Sequence, residues 1–177
     1  MSSELGENDL MYTMSPGFRV RTKSCNSGAS SLLQPTPIRL AAINRHHELD
    51  LPAESLDAVL MSTVYHDTYW FSPNVDWGPV NQQVMLTELR NALKPGGVVA
   101  VLDHYAESGV DPRRSSVATH RIDPAVVRRD FSMAGFLLDG ESDVLRSATD
   151  DYSVSVFDVA VRGRTDRFLM RFRRPHL

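Results

Sequence analysis

The stretch NALKPGGVVAVLDH, residues 91–104, decides the fold that the sequence predicts. Its proline cannot continue the helix before it, and the two glycines that follow give the backbone the freedom for a tight turn. The apolar run at 98–102 is typical of a buried strand, and it ends in Asp103 and His104. A helix, a sharp turn and an apolar strand in this order indicate an α/β protein.

Elements of the same kind lie on both sides of this stretch. Residues 57–64 form a short apolar run that predicts a strand buried on both faces, and residues 79–93 predict a helix. Residues 136–145 are interpreted as another strand. Residues 166–173 predict a last, half-buried strand, because apolar and basic side chains alternate there. Strands that alternate with helices predict a mainly parallel sheet with covering helices.

One further helix is predicted from its ends. Asp123 is a good N-cap, Pro124 suits the first turn, and Gly135 suits the end of the helix. The segment before it, residues 104–120, is interpreted as a loop.

Composition excludes several classes of protein. With 177 residues the chain has the length of one domain, and its net charge of −3 gives no general attraction to nucleic acid or anionic lipid. Cys25 is the only cysteine, which excludes an intrachain disulfide and a thiolate metal cluster. The N-terminus lacks the apolar stretch of a secretory signal, and no apolar run approaches the roughly 20 residues that cross a bilayer. We therefore expect a cytoplasmic protein with no membrane and no nucleic-acid partner.

The N-terminal part of the chain differs from the rest. Residues 1–36 mix Ser, Gly, Pro and Thr without a sustained period, and we expect them to be disordered or irregular. Residues 37–49 fit either a helix or a strand, and their periodicity slightly favours the helix. The folded domain is expected to span residues 37–177.

Histidine and aspartate recur where two neighbouring strands are predicted to end. His66 and Asp67 follow the first strand, Asp103 and His104 end the second, and His120 can reach the same edge. Ligands of open parallel sheets bind at this edge, where imidazoles and carboxylates can transfer protons or hold a metal. Such a pair also serves, more commonly, to fix a loop by a hydrogen bond. Because the sequence has no closely spaced ligand motif, no metal site is assigned from it.

Four segments resemble one known family. They read LPAESLDAVLMSTVYHDTYWFSPNVD, LRNALKPGGVVAVLDH, HRIDPAVVRRDFSMAGF and TDRFLMRFRRP. Together they are similar to the C-terminal half of class I S-adenosylmethionine-dependent methyltransferases, and in particular to a bacterial group of predicted small methyltransferases. The resemblance runs from about residue 49 to residue 175.

The resemblance implies a fold and a site. The family's sheet has seven strands, of which the last is antiparallel and inserted beside the fifth. The segments at 57–64, 98–103, 136–145 and 166–173 would be strands four to seven. The implied catalytic residues are His66, Asp67, Asp103 and His104, the implied substrate contacts are Tyr65, Tyr69, Trp70 and His120, and the implied cofactor contacts are Asp50 and Thr63. The implied cofactor is S-adenosylmethionine, and the implied partner is a small-molecule methyl acceptor.

The sequence departs from the family in its first half. The family holds the cofactor with a G-x-G turn, because the backbone must approach the ligand where a Cβ would collide. This chain has ten glycines, and no two of them are separated by one residue. Arg45 and His46 stand where the family has an acid for the adenine, unless Glu48 or Asp50 replaces it. The chain therefore resembles a truncated Rossmann-like methyltransferase sheet.

Three functions follow as alternatives. The first is a methyltransferase that acts on a small molecule. The second is a degenerate, non-catalytic methyltransferase-like domain that binds a partner or forms a homodimer, since the strand at 57–64 would leave a sheet edge exposed. The third is a metal-dependent enzyme built on the histidines and aspartates.

Overall fold

The computed structural model describes residue 49, residues 51–72 and residues 80–176. The predictions made for residues 1–36 and 37–48, and for Asp50, lie outside these described residues. The elements are β1 (Leu56–Ser62), a short 3-10 turn (His66–Thr68), α1 (Gln82–Ala92), β2 (Leu93–His104), α2 (Pro112–Thr119), α3 (Pro124–Met133), β3 (Leu137–Ser142) and β4 (Arg167–Arg173).

The four strands form one open sheet in the order β1-β2-β4-β3. β1 and β2 are parallel, whereas β4 is antiparallel to both of its neighbours. β1, β2 and β3 therefore run in the same direction, and the last strand is inserted between β2 and β3. The predicted α/β sheet with an antiparallel last strand is thereby confirmed, although only one of the three described strand pairs is parallel.

The predicted turn between α1 and β2 is instead part of β2, which begins at Leu93 directly after α1 and shifts its register against β1 between Leu93 and Val98. Gly96 has a φ of 79°, which side chains other than glycine rarely adopt. A Cβ on Gly97 would lie 2.8 Å from the carbonyl oxygen of Lys94, so that glycine is needed for close approach. β2 begins directly after α1 and ends where predicted, at the pair Asp103 and His104.

Alternate residues of the strands build the core on one side of the sheet. We call this side the covered face, and its residues are Met61, Val99, Val101, Phe168, Met170 and Phe172, all of them buried. The ring of Phe131 in α3 stacks on Phe172 with centroids 4.1 Å apart. α1 packs against α3 and β2, so both helices lie over this face.

The opposite side is less covered than the sequence predicts. We call it the open face, and its residues are Ala58, Leu60, Val98, Ala100, Leu102, Leu169 and Arg171, which are half-buried or exposed. Leu60 exposes 65% of its surface. The prediction that residues 57–64 are buried on both faces is therefore wrong, because no helix of the described residues packs on this side.

The ends of α3 agree with the sequence prediction, whereas α2 was not predicted. α3 begins and ends as predicted, since the Asp123 carboxylate accepts from the backbone N–H of Ala125 and Gly135 has a φ of 82°. Residues 104–120, predicted as a loop, contain α2 instead. Asp111 caps α2 through the N–H of Arg114, followed by a proline as in α3, but the helix is too polar to show an apolar stripe. No helix of the described part of the chain is long and apolar enough to span a bilayer.

Candidate functional site

The carboxyl ends of β1 and β2, which we call the carboxyl edge of the sheet, hold a buried pair of side chains, His66 and Asp103. β1 ends at Ser62, and the chain turns into the 3-10 segment that carries His66, while β2 delivers Asp103 directly. His66 Nδ1 lies 2.7 Å from Asp103 Oδ1, and the His66 backbone N–H donates to Asp103 Oδ2 at 2.9 Å. His66 is 3% exposed and Asp103 is fully buried. Two contacts from one carboxylate therefore fix both the backbone and the ring of His66.

The second nitrogen of His66 faces another carboxylate. His66 Nε2 lies 3.2 Å from Asp67 Oδ1, and His120 Nδ1 lies 3.7 Å from the same oxygen. His120 is the C-cap of α2, with a left-handed backbone at φ 54° and ψ 50°, and its ring meets that of His66 edge-on at 5.5 Å. We call His66, Asp67 and His120, with Asp103 behind them, the edge cluster.

The electrostatics of the edge cluster follow from its burial and its charges. Burial by itself lowers the pKa of His66, but the charge and hydrogen bonds of Asp103 and Asp67 outweigh it and raise that pKa to about 10. Burial by itself raises the pKa of Asp67, but hydrogen bonds from His120 and His66 lower it to about 2. At neutral pH His66 is therefore a hydrogen-bond donor and Asp67 an acceptor.

His104 lies beside the cluster but in a different state. Its ring centroid is 6.1 Å from that of His66, and its Nδ1 lies 2.8 Å from the hydroxyl of Thr165. Burial is the main cause that lowers the pKa of His104 to about 4, against the attraction of Asp103. His104 is therefore a neutral imidazole at neutral pH.

The three aromatic residues predicted to contact the substrate divide into two groups, Tyr65 with Tyr69, and Trp70. Tyr65 is fully buried, and its hydroxyl donates to the Asp130 carboxylate at 2.9 Å. The hydroxyl of Tyr69 donates to the same carboxylate in a short hydrogen bond. Trp70 instead stacks on His120, with centroids 6.4 Å apart and an angle of 28° between the planes. Tyr65 therefore belongs to the support of the site, whereas Trp70 lies on its wall.

Of the two predicted cofactor contacts, the structure describes only Thr63. Thr63 follows β1 at the carboxyl edge with a φ of 53°, and its N–H donates to the Leu102 carbonyl at 2.7 Å. A cleft of about 320 Å³ lies farther along the edge, lined by Tyr105, Asp123, Arg128 and Tyr152 among others. None of the predicted site residues lines this cleft.

The connection between β3 and β4 supplies functional support that sequence reasoning missed. Arg121 is fully buried and donates to Asp150 through both terminal nitrogens, at 2.8 and 2.9 Å. Phe157 of the same connection meets His120 edge-on at 4.8 Å. The only sequence signal was an arginine next to His120, because the partner Asp150 lies 29 positions away.

Comparison with known proteins gives no match in sequence. No family model matches the chain, and no curated protein matches it either.

Solved structures do match. The fold aligns with a putative sarcosine dimethylglycine methyltransferase from Galdieria sulphuraria at a TM-score of 0.50 and 14% identity, over 79% of this chain and 60% of that one. The chain has a methyltransferase fold. The fold resemblance predicted from the four sequence segments is thereby confirmed.

Two further structures show the same likeness at lower scores. One is a putative methyltransferase in complex with the Trm112 methyltransferase activator of Haloferax volcanii, at a TM-score of 0.48 and 16% identity, over 82% of this chain and 64% of that one. The other is an S-adenosylmethionine-dependent methyltransferase from Methanosarcina mazei, at 0.49 and 11%, over 78% and 68%. The chain spans between half and two thirds of the length of the first three matched structures.

Proposed function

We propose that this chain is a methyltransferase-family protein that acts on a small-molecule acceptor at the carboxyl edge of its sheet. The observation that carries the proposal is the buried His66–Asp103 pair, which a methyltransferase-type sheet places at the edge where ligands of such sheets bind. A polar pair buried this deeply costs desolvation, and its fixed geometry supports a role in orienting a ligand.

The edge residues take different parts in this proposal. Asp103 is a positioning residue, because it is fully buried and acts through His66. His66 orients the Asp67 carboxylate, which offers an acceptor to the polar group of an acceptor molecule, and His104 offers a neutral ring nitrogen. Trp70 and His120 form an aromatic wall that suits a flat or apolar acceptor.

The residues do not fit a complete cofactor site. The sequence contains no G-x-G turn, and Thr63 is the one predicted cofactor contact within the described residues. We therefore derive no methyl-transfer step. The cofactor implied by the fold is S-adenosylmethionine, and its binding is the point on which the proposal is tested.

The test is calorimetric titration of the folded full chain with S-adenosylmethionine and, in parallel, with S-adenosylhomocysteine, in the presence of a chelator. Binding at micromolar strength, equivalent to about −8 kcal/mol, would support an active methyltransferase. Thr63→Asn, which tolerates a positive φ, should then weaken binding, whereas the matched control Thr87→Asn on exposed α1 should not. Absence of heat up to millimolar ligand would overturn the active form of the proposal.

A second candidate is a non-catalytic domain that forms a homodimer, with localisation in the cytoplasm as in the first. Its basis is the position of β1, which is the outer strand of the sheet in the described residues and exposes Leu60. Uncovered edges and apolar faces of this kind pair with another chain unless charge blunts them. Light scattering should show a dimer that Leu60→Lys converts to a monomer. Val159→Lys, at an exposed position outside the sheet, is the control, and a monomeric parent chain would contradict this candidate.

A further inference from the structure

The edge cluster has the composition of a divalent-metal site. One ligand atom each of His66, Asp67 and His120 lies within 4.8 Å of the other two. A tetrahedral cation bound at about 2.0–2.2 Å from each ligand atom holds such atoms roughly 3.3–3.6 Å apart. The two distances to Asp67 Oδ1, 3.2 and 3.7 Å, are close to that separation.

The surroundings of His66 match those of a metal-ligating histidine. Such a histidine gives its other ring nitrogen to a carboxylate, which fixes the ring and makes it a better ligand. Asp103 takes this place at Nδ1, 2.7 Å away, and leaves Nε2 directed at Asp67. The ring is held from the backbone side too, because Ser116 Oγ donates to the His66 carbonyl at 2.7 Å.

The third ligand comes from a separate element. His120 ends α2 in a left-handed conformation, which for a residue with a side chain is uncommon and concentrates at functional sites. Its ring contacts those of Trp70 and Phe157, which place apolar surface beside this ligand.

From this geometry we infer that His66, Asp67 and His120 bind a divalent cation of the zinc class, with Asp103 as the outer support of His66. Two imidazoles and one carboxylate are ligands that zinc accepts, and three protein ligands leave a position open for an oxygen of a bound small molecule. Magnesium prefers oxygen ligands in an octahedron and should not bind here. The inference is independent of S-adenosylmethionine and goes beyond the proposed function.

The experiment is equilibrium binding of Zn²⁺ to the metal-free full chain, with Co²⁺ as a spectroscopic probe and Mg²⁺ as the comparison. Cys25, His46 and His47 can also bind zinc, so the background chain carries Cys25→Ser, His46→Asn and His47→Asn. We expect one Zn²⁺ per background chain, a rise in the unfolding temperature, visible Co²⁺ absorption and no effect of Mg²⁺.

Two variants identify the ligands without disturbing the core. His120→Asn suits the left-handed backbone, and Asp67→Asn keeps the size of its side chain. Each should weaken Zn²⁺ binding at least about tenfold and abolish or shift the Co²⁺ spectrum. The control is His176→Asn, the same substitution at a histidine that lies beside Gly96, far from the edge cluster along β2. It should leave Zn²⁺ binding and the Co²⁺ spectrum unchanged.

Several results would overturn the inference. They are the absence of Zn²⁺ binding below millimolar concentration in a folded background chain, binding that survives His120→Asn and Asp67→Asn, and binding that His176→Asn weakens equally. Because these measurements contain no S-adenosylmethionine, and the cofactor titration contains chelator, the two proposals fail or succeed separately.

Discussion

The covered face and the open face of the sheet come from the same strands, residue by residue in alternation, yet they differ sharply in packing. On the covered face Phe172 of β4 is 1% exposed and stacks on Phe131, whereas on the open face Leu60 of β1 exposes 65% of its surface. The helices α1 and α3 pack on the first face, and no helix of the described residues packs on the second. The difference shows that the helices of the described residues cover one face of the sheet and leave the other without a helix.

The largest effect is expected from removing a side chain on the covered face. Phe172→Ala should lower the free energy of unfolding by about 3–5 kcal/mol, because it leaves a cavity beside Phe131. Leu60→Ala, on the open face, should lower it by less than about 0.5 kcal/mol. Urea unfolding of both variants measures the two values. Equal losses would mean that the open face is covered in solution and would break the comparison.

A smaller but similar contrast is expected between two ion pairs. Arg121 and Asp150 are both buried, so Asp150→Asn leaves the arginine charge without its full partner and should cost about 3 kcal/mol. Lys94 and Asp57 form a pair of 2.6 Å between β2 and β1, but both side chains are about half exposed. Asp57→Asn should therefore cost less than about 1 kcal/mol. Chemical denaturation of the two variants at the same pH makes the comparison, and a cost at Asp57 that equals that at Asp150 would contradict it.

The smallest effect is expected in the pH dependence of two carboxylates. Burial by itself raises the pKa of Asp166, but hydrogen bonds from Arg146, Tyr152 and the Ser147 N–H outweigh it and lower that pKa. Since the folded state binds the proton more weakly than the unfolded state, Asp166 stabilises the fold above the unfolded pKa of about 4. This contribution is lost as the pH falls through the lowered, folded-state pKa.

Asp139, a carboxylate in a more exposed ion pair, offers the control for this pH effect. Arg173 and Arg171 lower the pKa of Asp139 on β3. The side chains of this ion pair, including that of Asp139, are more exposed than the side chain of Asp166. The acid-induced loss of stability should therefore shrink in Asp166→Asn at both low and high salt. In Asp139→Asn it should shrink at low salt only, because salt screens exposed charges. Unfolding curves between pH 3 and 7 measure this, and salt-insensitive behaviour of Asp139 would count against it.

Part of the fold could be predicted because its signals are local. The proline and glycines at 95–97 lie just after the end of α1, in the first residues of β2, and Asp123 with Pro124 starts α3. Alternating apolar residues at 166–173 predicted a half-buried strand, and the structure has β4 at Arg167–Arg173. By contrast, α2 was missed although Asp111 and Pro112 repeat the same capping signal, because a polar helix shows no apolar period.

The helix predicted over residues 79–93 shows a further limit of prediction from the sequence. Its existence was predicted, but its buried face was not: Met85 and Leu86 are buried, whereas the neighbouring Val84 is 48% exposed. The buried face of a short amphipathic helix cannot be read from its sequence pattern alone. It is decided by where α3 and β2 lie.

The sequence by itself determined which residues reach the carboxyl edge. Asp103 and His104 must end the strand that contains Gly96, and His66 and Asp67 must follow the preceding strand, because chain connectivity and strand length are local properties. Only the tertiary structure decided how these residues combine. It pairs His66 with Asp103 across 37 positions, brings His120 to Asp67 at the end of an unpredicted helix, and buries Tyr65 on Asp130. Such contacts depend on the packing of separate elements, and a spacing along the chain does not encode them.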